Sequence, residues 1–79
     1  MATEIILPDL NVDVDEVLIN TWHFKEGDRV NEGDDLVELQ VGTTIFNLPT
    51  PVSGILLEIL VDEGDAVEFG EALATVDEE

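Results

Sequence analysis

The sequence contains no cysteine, which removes disulfides and thiolate metal ligands from consideration. Cationic side chains are nearly as scarce. Lys25 and Arg29 stand alone against 20 Asp and Glu, giving a formal net charge of −18 over 79 residues. That balance offers no basic footprint for nucleic acid and repels anionic membranes. No apolar run approaches the roughly 18 residues of a membrane-spanning helix. The opening MATEIILPDL has no basic segment ahead of an apolar one and meets Pro8 and Asp9 at once, unlike a secretory leader. The expectation is a soluble, cytoplasmic, monomeric protein without nucleic-acid or membrane partners. Its acidic surplus reads as a solvated surface, as a face that docks on a basic partner, or as adaptation to high salt.

What is present is a strand pattern. Val, Leu and Ile dominate the apolar residues, with three Phe and one Trp beside them, a composition that suits pleated, half-buried surfaces. Apolar residues recur with a period of two. Val37, Leu39 and Val41 oppose Glu38 and Gln40. Ile55, Leu57, Ile59 and Val61 are expected on one face, with Leu56, Glu58 and Leu60 on the other. Turn signals interrupt these runs at Pro8-Asp9, Glu26-Gly27-Asp28, Glu32-Gly33-Asp34, Pro49 to Gly54, Glu63-Gly64-Asp65 and Gly70. About eight short strands between such turns indicate an all-β barrel or sandwich, in a single domain spanning 1–79.

The chain also repeats itself. WHFKEGDRVNEGDDLVEL (22–39) aligns without a gap with ILVDEGDAVEFGEALATV (59–76). Gly27 pairs with Gly64, Asp28 with Asp65, Val30 with Val67, Gly33 with Gly70 and Leu36 with Leu73. The glycines are expected at positive-φ turn positions. Two copies of a strand-turn-strand unit predict two similar sheets packed with pseudo-two-fold symmetry. Between them, VELQVGTTIFNLPTP (37–51) reads as a hairpin with Gly42, Thr43 and Thr44 at its tip, projecting away from the termini.

These residues resemble the biotinyl/lipoyl domain family along essentially the whole chain. The resemblance rests on IILPDL, DVDEV, the WHFKEGDRVNEGDDLVEL run, PTPVSGIL and LVDEGDAVEFGEALATV. It implies a flattened barrel of two four-stranded antiparallel sheets, a barrel-sandwich hybrid. It also implies a swinging arm. In lipoyl members a V-E-L-E-T-D-K-A run precedes the P-x-P-V-S-G turn, and its lysine is amidated by lipoate. The arm then shuttles acyl groups within 2-oxoacid dehydrogenase complexes. Aligned from Pro49 and Pro51 back to Leu36, Gly42 matches the Asp, Thr43 the lysine and Thr44 the small residue after it. The biotinyl pattern, a lysine between two methionines, is also absent, since Met1 is the only methionine.

Amide attachment needs a primary amine, and Thr43 offers a hydroxyl. Lys25 is equivalent by the repeat to Asp62 and reads as a turn-flanking scaffold residue. No cofactor, metal or catalytic residue is therefore expected, and the chain is not expected to be an enzyme, although a parent acyltransferase is compatible with the pattern. The expected role is a non-catalytic interaction or structural module related to 2-oxoacid dehydrogenase complexes. Its partners would be components of such a complex or lipoate ligase-like proteins, met by a surface around Gly42, Thr43, Thr44, Asp28 and Glu32. The alternative is a lipoyl carrier domain of a dihydrolipoamide acyltransferase, or an acceptor-site variant of one.

Other constellations carry less. Asp9, Asn11, Asp13 and Asp15 mimic the start of a calcium loop, but Val14 and Asn20 occupy the positions that need Gly and Glu. His23 has no nucleophile or second histidine at useful spacing and is expected as a partly buried or surface strand residue. Trp22 and Phe24 are expected in the core. Phe46 either packs on the barrel or anchors a partner. A small barrel filled by side chains leaves no room for an internal pocket.

Overall fold

A computed structural model describes residues 2–9 and 16–78. Eight strands follow one another: β1 (Ala2–Ile6), β2 (Val17–Trp22), β3 (Arg29–Val30), β4 (Asp35–Val41), β5 (Thr44–Pro49), β6 (Gly54–Ile59), β7 (Ala66–Val67) and β8 (Ala72–Glu78). They form two four-stranded sheets, ordered β1-β8-β6-β3 and β5-β4-β2-β7, with every neighbouring pair antiparallel. The expected flattened all-β barrel is what the chain adopts, elongated to 35 × 19 × 19 Å.

The sequence repeat becomes a pseudo-two-fold axis that exchanges the sheets, pairing β2 with β6, β3 with β7 and β4 with β8. Each sheet nevertheless draws strands from both halves, because β3 sits beside β6 and β7 beside β2. The repeated units are thus interlocked, each unit contributing to both sheets. The hydrogen bonds obey the same symmetry. The Gly27 amide donates to the Leu56 carbonyl and the Gly64 amide to the Ile19 carbonyl, both at 2.7 Å. The Ile59 amide donates to Glu26 Oε2 at 2.8 Å, and the Trp22 amide to Glu63 Oε2 at 2.9 Å. Gly27, Gly33, Gly64 and Gly70 all take φ between 90° and 94°. This left-handed region costs other residues strain, which is why the turns repeat glycine and not merely a polar residue.

The core divides into two symmetric clusters. One gathers Ile19, Val37, Leu39, Val41, Val67 and Leu73 with their neighbours. The other gathers Ile5, Val30, Leu36, Leu56, Ala74 and Val76. Trp22 and Leu48 pack against both. Thr50 is the one buried polar residue among those described; its hydroxyl donates to the Val52 carbonyl at 2.7 Å. Gly54 closes the turn after it, where an added Cβ would be driven into the Asp77 carbonyl.

One alternation expected from the sequence is overturned. Leu56 is fully buried while Leu57 is 47% exposed. The register of β6 on β8 shifts between Leu56 and Glu58. A bulge there inserts one residue, so the inward phase passes from Leu56 to Ile59 and Val61 and turns Leu57 outward.

Candidate functional site

The β4–β5 hairpin is the feature that the sequence singles out. Cross-strand pairing runs from Asp35↔Pro49 up to Val41↔Thr44, leaving Gly42 and Thr43 as a two-residue loop. Gly42 takes φ +62°, the left-handed position that mirror-image hairpin turns require at their first central residue. The Gln40 side chain donates to the Gly42 carbonyl at 3.2 Å and braces the turn from one strand. Thr43 and Thr44 are exposed, Ile45 is half exposed beside them, and Val41 is buried beneath. The loop is thus a protruding apex on a packed base. Chemically it presents one secondary hydroxyl at Thr43, with a second at Thr44.

The structure separates residues that the sequence reading grouped. From Thr44, β5 runs six residues to Pro49, a rise of roughly 20 Å. Beyond it the Gly33 amide donates to the Thr50 carbonyl, and the Glu32 amide to Ser53 Oγ at 2.8 Å. Glu32 therefore lies at the far end of the hairpin from Thr43. Asp28 precedes β3 on the other sheet, where its carbonyl accepts from the Leu56 amide. A single docking surface comprising Gly42, Thr43, Thr44, Asp28 and Glu32 is not formed. Gly54 pairs with Glu78 at that same far end, so the described end of β8 lies away from the apex, as expected.

Lys25 takes the scaffold role that the repeat assigns. Its amide donates to Asp28 Oδ2 at 2.9 Å, and the equivalent Asp62 amide donates to Asp65 Oδ2 at 2.9 Å. His23 is exposed, its Nε2 lying 3.0 Å from Asn47 Oδ1. Phe46 is half-buried against the core. Trp22 and Phe24 do not enter the core fully. Trp22 stays half-buried where the two clusters meet, its Nε1 reaching the Val61 carbonyl at 3.1 Å, and Phe24 packs half-buried at the margin of the second cluster alone. They line an open surface groove with Lys25, Glu26, Ile59, Asp62 and Glu63. Period-two patterning gave no signal for this groove, which only the repeat, read as an axis, could have located. Of the calcium-like segment, Asp9 is described, whereas Asn11, Asp13 and Asp15 lie outside the described residues.

Comparison with known proteins converges. A biotin/lipoyl family model, described as "Biotin-requiring enzyme", matches residues 3–76. The chain is 39% identical over 77 residues to the dihydrolipoyllysine-residue acetyltransferase component of the pyruvate dehydrogenase complex of Staphylococcus epidermidis, covering 98% of this chain and 18% of that protein. The same component from Staphylococcus aureus is 36% identical with the same coverage. The chain thus spans about a fifth of the length of these relatives. Among solved structures, it superposes on the lipoyl domain of the 2-oxoglutarate dehydrogenase complex from Azotobacter vinelandii with a TM-score of 0.79, at 27% identity and 95% coverage of both chains.

Proposed function

The chain belongs to the biotinyl/lipoyl domain family, and from that premise we propose that it is a lipoyl-type domain without its acyl-carrying arm. In this reading it serves a 2-oxoacid dehydrogenase complex of the cytoplasm as a non-catalytic interaction or structural module. Its partners are components of that complex or a lipoate ligase-like protein. The observation that carries the reading is the composition of the apex. Gly42 and Thr43 form the whole two-residue loop, and the only lysine, Lys25, is engaged through its backbone in a separate turn. Lipoylation converts a carboxylate into an amide and requires an amine nucleophile. A threonine hydroxyl would yield an ester, which hydrolyses more readily and presents no ammonium to a modifying enzyme.

A second reading draws on the similarity to acetyltransferase components. Here the domain is a lipoyl carrier of a dihydrolipoamide acyltransferase in which position 43 has been altered. Both readings leave the domain without an active site of its own. One experiment decides the chemistry. Incubated with lipoate ligase, ATP and lipoate, the chain is expected to show no change in intact mass. The Thr43→Lys variant is expected to gain one lipoyl group, because the hairpin already offers its apex. Modification of the unaltered chain would overturn the proposal. Failure of a folded Thr43→Lys variant to be modified would remove the assignment of position 43.

A further inference from the structure

The groove at the pseudo-two-fold axis has no part in the chemistry of the apex, yet it is a concave surface lined by both halves of the barrel. Its floor is apolar: half-buried Trp22 and Phe24 from one half meet half-buried Ile59 from the other. Its rim carries the symmetry-related pairs Lys25/Asp62 and Glu26/Glu63, all exposed. Two of these carboxylates are fixed in place. Glu26 Oε2 accepts from the Ile59 amide at 2.8 Å and Glu63 Oε2 from the Trp22 amide at 2.9 Å. Each crosses the axis to hold the opposite half, and each retains a second oxygen for another donor. The charge symmetry of the rim breaks at one pair, since Lys25 stands where Asp62 stands in the other half. One side of the groove therefore carries adjacent carboxylates at Asp62 and Glu63, while Lys25 sits on the other.

We propose that this groove binds an arginine side chain presented by a basic segment of a partner protein. The guanidinium would lie toward Asp62 and Glu63, where its planar fork matches carboxylate oxygens. Its face would rest on the Trp22 ring, whose quadrupole attracts a cation. The aliphatic stem would cover Phe24 and Ile59. A compact ammonium would satisfy the carboxylates but not the ring face and the two-pronged geometry together. The formal charge of −18 attracts any basic segment; the groove supplies the local choice among its side chains. The proposal deepens the interaction-module reading and rests on it. Its test, however, involves neither lipoate nor a dehydrogenase complex, so the two fail separately.

Trp22 is the only tryptophan, so its fluorescence reports on the groove directly. The chain is titrated at constant potassium chloride with a capped Gly-Arg-Gly peptide and with the matching citrulline peptide. The arginine peptide is expected to change the Trp22 emission saturably, and the citrulline peptide to bind at least about tenfold more weakly, a loss typical of removing a charge-assisted pair. The Asp62→Asn, Glu63→Gln double variant keeps an oxygen to accept from the Trp22 amide and removes both charges. It is expected to melt no lower than the parent chain yet to bind the arginine peptide at least about fivefold more weakly. Lys25→Gln is expected to bind more tightly, since it removes a like charge from the opposite rim. An absent fluorescence response, an equal response to citrulline, or undiminished binding in the folded double variant would each overturn the proposal.

Discussion

Raising the concentration of a simple salt should stabilise this fold by an amount that its charge and size set. The chain carries a net charge of −18 and folds to a Cα radius of gyration of 11.8 Å. Treated as a charged sphere of roughly 15 Å radius, the folded chain has a self-repulsion of about 15 kcal/mol at ~0.15 M salt and about 7 kcal/mol at ~1 M, from Coulomb's law with Debye screening. The unfolded chain spreads the same charge over a radius of gyration of about 28 Å, equivalent to a sphere of roughly 36 Å radius, which lowers the two figures to about 3 and 1 kcal/mol. Folding thus works against about 12 kcal/mol of repulsion at the lower salt and about 6 at the higher. The relief, about 6 kcal/mol, is an upper bound because real denatured chains are more compact than this reference. It is comparable with the whole stability expected of a domain this size, about 4 to 12 kcal/mol. Even a third of it would raise Tm by roughly 8 to 16 °C. Thermal unfolding followed by circular dichroism in stepped potassium chloride and choline chloride checks this. The two salts should act alike, because screening depends on ionic strength and not on the identity of the cation. A Tm that moves by less than about 3 °C across that range would refute the argument, since the repulsion would then not differ between the folded and unfolded chains.

Two further substitutions test the turn that follows the hairpin. Gly54→Ala drives a methyl group into the Asp77 backbone carbonyl and is expected to cost about 3 kcal/mol or more, measured by urea denaturation. Because β6 pairs with β8 there, amide exchange should accelerate in both strands. Thr50→Val removes the hydroxyl that donates to the Val52 carbonyl from a residue only 1% exposed. With little change in volume, the expected loss is about 1 to 3 kcal/mol by the same measurement.

Much of the architecture could be read from residue order because its signals are local. Val37, Leu39 and Val41 alternate cleanly with polar residues, and all three are buried. The glycines at 27, 33, 64 and 70 marked turns whose backbone conformation they actually adopt. In ILLEILV (55–61) alternation misled. With apolar residues on both phases, nothing local reveals that a bulge moves the inward position to Leu56. Trp22 was misplaced for a different reason. Its partly open position arises where two clusters contributed by distant strands meet.

The sequence by itself determined the strand content, the duplicated half and the absence of an amine at residues 42–44, because period, glycine spacing and residue identity require no knowledge of neighbours. Only the tertiary structure decided that the halves interlock across both sheets, that Asp28 and Glu32 lie apart from the Thr43 apex, and that Trp22, Asp62 and Glu63 share one groove. Those relations depend on which strand edges pair and where bulges shift the register. Pairing is a property of the closed sheet, which distributes residues remote in the chain to common or opposite ends of the barrel.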